Sequence, residues 1–187
     1  MRHSFVSLAQ ALLVAALCLL ALPAMAQANL SDKSLDELFA SLKQAPDQAT
    51  ATGTSNEIWK RWTEPDDPDL AELMRRVLQA RDEYDLATAY DLANQVITAD
   101  PDYAEGWNQR ATVEYLLGEY QASLEDVAET LKREPRHFGA LAGKVLIQMK
   151  LGDKAGARKT LVEALAINPF LSERGLFPEL GPPPTRT

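Results

Sequence analysis

Residues able to carry chemistry are scarce in this chain. Cysteine occurs once, at Cys18, and histidine twice, at His3 and His137. A cysteine zinc site needs more thiols than this. Beyond the N-terminal segment, a Ser-His-Asp relay could use only His137. His137 follows Arg136 between two helical stretches and reads as a turn or packing residue rather than a base or ligand. Carboxylates are plentiful, most densely in Glu64-Pro65-Asp66-Asp67-Pro68-Asp69. Calcium favours oxygen ligands, but this stretch lacks the alternating ligand order and central glycine of a calcium loop. It reads as a turn and helix start, with Asp67 as cap and Pro68 in the first helical position. We find no phosphate-cradling glycine loop and no nucleophile motif. The expectation is a protein without catalysis, metal or cofactor.

The elements around these residues explain the scarcity. The chain has 187 residues, 46% of them hydrophobic and 25% charged, with a net charge of −8. That suits one small folded domain plus a targeting segment. The acidic balance, without interleaved aromatics on a basic face, argues against nucleic acid as a partner.

Residues 1–26 read as an export signal. Arg2 gives a basic start, Phe5 to Leu22 is almost wholly apolar, Pro23 breaks the run, and Ala24-Met25-Ala26 supplies the small residues of a cleavage site. Cleavage after Ala26 leaves Gln27 as the new N-terminus; Ala26 and Ala28 offer a second cut nearby. Attachment of lipid at Cys18 is disfavoured by the bulky Leu17 before it. The alternative is a retained anchor, since about 18 apolar residues are near the lower limit for crossing a bilayer. A chain without thiols after cleavage suits an oxidising compartment, and the style of the signal points to a bacterial periplasm.

Residues 27–63 read as an arm. Ser34-Leu35-Asp36-Glu37 is a capping-box pattern, and Leu35, Leu38, Phe39 and Leu42 share a helical face over Ser34–Gln44. The Ala/Thr/Ser-rich residues 45–56 read as a linker, and Glu57 to Trp62 as a short further helix. Trp59 and Trp62 are expected to cover an open end of the helical domain that follows.

That domain, residues 64–171, contains a repeat. Pro101, Pro135 and Pro169 are separated by 34 residues each, within ITADPDYAEGW, LKREPRHFGAL and LAINPFLSERG. The units are 70–103, 104–137 and 138–171. In the second unit a helix is expected near Ala104–Leu117, ended by Gly118 in a left-handed conformation, and another near Tyr120–Arg133. Leu124, Val127, Ala128 and Leu131 form an apolar stripe on the latter. Trp107, Ala111 and Gly118 in this unit have counterparts in Leu141, Val145 and Gly152 of the third by register, and Tyr120 follows Gly118 at position 17. These features resemble the tetratricopeptide repeat family, whose units are helical hairpins of this length. The resemblance implies an all-α solenoid of three helix pairs with flanking short helices. Tyr84 stands where the family has Gly, and Ser123 where it favours Ala. Residues 172–187 read as a proline-rich tail, with a last helical turn over Leu171–Arg174.

The resemblance also implies a concave face. Its family positions fall on Ala71, Met74, Leu78, Arg81 and Asp82; on Glu105, Asn108, Thr112, Tyr115 and Leu116; and on Gly139, Ala142, Leu146, Met149 and Lys150. Members that clamp a terminal carboxylate need Lys or Asn at positions held here by Met74, Leu78, Thr112, Ala142 and Leu146, so Asn108 stands alone. The candidate protein-binding groove is therefore Met74, Leu78, Arg81, Asn108, Thr112, Tyr115, Leu146, Met149 and Lys150, suited to a helix or an apolar segment. The N-terminal arm, or the Trp59/Trp62 turn, is an alternative occupant in cis.

Charge is segregated. Residues 64–129 hold 17 acids and 4 bases, whereas residues 130–160 hold 8 bases and 2 acids. A stacked solenoid would then carry an acidic and a basic end, open to steering or self-association. The function expected is an exported adaptor or scaffold binding a protein partner. The alternative is an assembly factor tethered at the inner membrane.

Overall fold

A computed structural model describes residues 30–183; the expected signal segment lies outside the described residues. Among those residues eight complete α-helices follow one another, and no strand occurs. They are α1 Leu35–Lys43, α2 Gln48–Thr63, α3 Pro68–Asp82, α4 Leu86–Ala99, α5 Ala104–Leu117, α6 Tyr120–Arg133, α7 Phe138–Lys150 and α8 Lys154–Ile167. Short 3-10 turns at Ser172–Leu176 and Pro178–Leu180 complete the chain.

The helix starts follow their side chains. At α1 the Glu37 backbone N–H donates to Ser34 Oγ, and the Ser34 N–H donates to the Glu37 carboxylate at 2.7 Å. Asp67 accepts from the N–H groups of Asp69 and Leu70, with Pro68 first in α3. Asp47, Asp85 and Asp153 cap α2, α4 and α8 in the same way, satisfying backbone donors that have no partner inside the helix.

Helices α3 to α8 form three antiparallel pairs. The turn within each pair needs a left-handed residue. Gly118 and Gly152 supply it with φ of 83° and 81°, and Tyr84 adopts 62° in the first pair. A side chain is disfavoured there, so Tyr84 is a strained substitute for the glycine of its two counterparts. Ser123, the other departure from the family pattern, is buried and donates to the Ala111 carbonyl at 2.7 Å, tying α6 to α5.

Apolar clusters bridge each pair to the next. Leu70, Met74, Val77, Ala89, Leu92 and Val96 of the first pair meet Val113 of the second. Ala111 and Val127 meet Ala140 and Ile147 of the third. Each pair leaves an apolar stripe that its neighbour covers, so none has a complete core alone.

Three sequence expectations are corrected. Residues 45–56 are not a linker: from Gln48 onward they are the first half of α2. Ala51 and Thr54 are buried on its inner face, and tertiary packing overrides the weak helix propensity of Thr, Gly, Ser and Asn. The chain after Pro169 is not loose as far as Gly181. Phe177 is 1% exposed and fills the end of the third pair against Val145, Ala157 and Leu161. Arg174 fastens this segment by donating to the carbonyls of Pro169, Leu180 and Gly181.

The third correction concerns Trp59 and Trp62. They do not cover an end of the stack. Phe177 closes one end, and the other presents the polar side chains of Glu72, Arg75, Gln79 and Glu83, which bond to one another along α3. Instead α2 lies across the turns that join successive pairs. Tyr103 Oη donates to the Trp62 carbonyl, Trp62 stacks on His137, and Asn168 donates to Ser55 at 3.2 Å. Tyr103, His137 and Leu171 are register equivalents, 34 residues apart, so the hairpin α1–α2 straps one row of turns.

Candidate functional site

The first helices of the pairs, α3, α5 and α7, line a concave groove of about 720 Å³. Its wall is mainly apolar. Leu78, Thr112 and Leu146 form a half-buried row, each at the same position of its repeat. Tyr115, Leu116, Ala142 and Gly143 extend it, and Trp59, Phe138 and Leu171 close one side. A smaller hollow of about 490 Å³ adjoins it at Thr63 and Leu78, and there Ala71 sits with Glu72 and Arg75.

The structure brings Leu78, Arg81, Asn108, Thr112, Tyr115 and Leu146 to this groove. It places three other candidates elsewhere. Met74 is completely buried in the core of the first pair. Its register equivalents Asn108 and Ala142 are nearly buried too but still reach the groove wall. Met149 packs against the Val145–Phe177 cluster, because the 3-10 segment after α8 lies against the third pair there. Lys150 is exposed as the last residue of α7. Glu105, also expected on the concave face, is buried. Thr63, Phe138, Gly143 and Glu173 line the groove without having been expected there, and Trp59 reaches its wall from the N-terminal arm. The 34-residue equivalence of Tyr103, His137 and Leu171 was the available signal that an apolar row of turns needed covering.

A polar network runs inward from the groove. Arg81 donates to Gln109 Oε1 at 2.7 Å and pairs with Asp82. Gln109 and Asn108 both donate to Glu105 Oε1, at 2.5 and 3.1 Å. The other Glu105 oxygen lies 2.8 Å from His137 Nε2. His137 Nδ1 accepts from the Ala140 N–H at 3.0 Å, capping α7. An acceptor at Nδ1 places the ring hydrogen on Nε2, so this tautomer donates to Glu105. With both nitrogens engaged and no exposure, His137 has nothing to offer a substrate or a metal. Tyr103 nearby is held as a neutral phenol, its pKa pushed far up by burial and then by the Glu105 and Asp100 charges.

A second buried cluster joins the first and second pairs. Arg110 grips both Asp126 oxygens, at 2.6 and 2.8 Å, and donates to Asn94 Oδ1 at 2.7 Å. Glu114 stands beside it with a buried, unpartnered Oε2. Burial first, then the Asp126 charge, raises the Glu114 carboxyl to about 7. This acid pair is committed to the seam between repeats. Among the described residues no group of His, Cys, Asp and Glu is arranged to hold a metal ion.

Fold and groove together define an α-solenoid of helical hairpins that presents a concave surface. No protein-family model matches the chain. It is similar to a TPR repeat-containing protein of Rhizobium etli, with 36% identity over 135 residues. The match covers 72% of this chain and 66% of that relative, so the chain spans about two thirds of the relative's length. The chain belongs to the tetratricopeptide-repeat family.

Proposed function

We propose that this protein is an exported, non-catalytic adaptor that holds a segment of a partner protein in the concave groove. The observation that carries the reading is the row Leu78, Thr112 and Leu146, half-buried along the mainly apolar wall of the concave groove. Apolar side chains left open in a shaped groove favour a complementary apolar segment. The buried, doubly bonded His137 supports a binding role rather than a catalytic one. Export to a periplasm rests on residues 1–26: the basic start, the apolar run and Ala24-Met25-Ala26. Among the described residues no helix is long and apolar enough to cross a membrane.

The test is capture from an envelope extract by the wild type and by the double variant Leu78→Asp/Leu146→Asp, with helical content checked by circular dichroism. The reading expects one specific partner to be retained by the wild type and lost by the folded double variant. Equal recovery by both would move the binding surface away from the groove.

A further inference from the structure

We propose that the α1–α2 hairpin is a separately docked strap, and that Trp59 is its gate, dividing one larger hollow in two. A second cavity of about 220 Å³ lies on the far side of Trp59 from the groove. The two cavities share Trp59, Phe138, Leu171 and Ser172 as walls, so the indole stands between them.

The indole fits only because residue 139 is glycine. A Cβ there would lie 2.4 Å from one Trp59 ring carbon and 2.6 Å from another. The hairpin otherwise docks through aromatic contacts and three polar clips, one of them Tyr103 Oη donating to the Trp62 carbonyl. Phe39 and Trp62 meet Phe138 with ring centroids 6.5 and 5.0 Å apart. Arg136 bonds Asp36 at 2.6 Å, and Asn168 bonds Ser55.

The hairpin's interior, Leu38, Leu42, Ala45, Ala51 and Ile58, is closed on the repeat side by Phe138 of α7 and Phe170 just after α8. Its second helix begins with weak helix formers and depends on docking for its order. The clusters that bind the repeats together, in contrast, include no residue of the hairpin, so lifting it leaves them intact. Opening of the hairpin therefore needs less free energy than opening of the stack. Once it lifts, the two hollows join over Gly139, and a ligand of the joined hollow competes with Trp59. This gating rests on the groove being the binding surface; the separability of the hairpin does not.

Hydrogen exchange on the full chain tests the strap, comparing wild type with Gly139→Ala and Trp59→Ala. The amides of α1 and α2 should exchange at least about tenfold faster in both variants, with those of α3 to α8 changing less than about twofold. Joint acceleration of hairpin and repeats, or an unchanged hairpin in both variants, would overturn the strap. The gate is read with 1-anilinonaphthalene-8-sulfonate as probe. Trp59→Ala should bind one equivalent at least about tenfold more tightly than wild type, and adding Leu146→Asp should abolish the gain. A loosened hairpin with unchanged dye affinity would refute the gate while leaving the strap standing.

Discussion

Trp62 lies flat on His137, with ring centroids 3.9 Å apart and planes within 10° of each other. The contact joins the N-terminal hairpin to the turn between the second and third pairs. Through His137 it reaches Glu105, and through Glu105 it reaches Asn108 and Gln109 at the groove.

Removing Glu105 should therefore cost more than its size suggests. Glu105→Ala leaves His137 Nε2–H, Asn108 and Gln109 without their shared acceptor in a buried site. The expected loss is about 2–4 kcal/mol, measured by denaturant unfolding. Trp62→Ala removes a buried ring and should cost about 3–5 kcal/mol. The two losses should be less than additive, because one network carries both.

Glu114 makes stability depend on pH. Its folded pKa of about 7 lies above the ordinary 4.5, so the folded chain binds this proton more tightly than the unfolded one. Stability from this group is fully present below about pH 4.5, falls as pH rises to about 7, and is lost above that. Glu114→Gln should flatten the profile across that window. At pH 8 it should raise stability by about 2 kcal/mol in thermal or denaturant melts.

The strained turn offers a stabilising change. Tyr84 is 66% exposed and makes no compensating burial for its φ of 62°. Tyr84→Gly should stabilise by about 1 kcal/mol, whereas Gly118→Ala should destabilise by about the same amount. Paired denaturation curves check both signs.

The C-terminal segment should behave as part of the fold. Phe177→Ala should cost about 3 kcal/mol and speed amide exchange in α7 and α8 first. An unchanged melting curve would return residues 172–181 to the status of a tail.

The repeats were legible in the sequence because their signals are local. Proline punctuation at 34-residue spacing fixes the register, and Gly118 marks its turn; α5 and α6 occupy the spans read for them. The first half of α2 was not legible, since its Thr, Ser and Gly gain helical order from tertiary packing, with Ala51 buried in one cluster with Leu38, Leu42 and Phe170. The same holds for Phe177, whose partners are on α7 and α8. Positions carried by register reach the groove at Leu78, Thr112 and Leu146. They miss it at Met74, which fills the core of the first pair, and at Met149, which meets the C-terminal segment.

The most direct test of the adaptor reading is photocrosslinking in the living cell. A photoreactive amino acid placed at Leu146 or Leu78 should trap the same exported protein, whereas placement at Arg76 or Val162, both exposed outside the groove, should not. Crosslinks formed only from the outer positions would contradict the account.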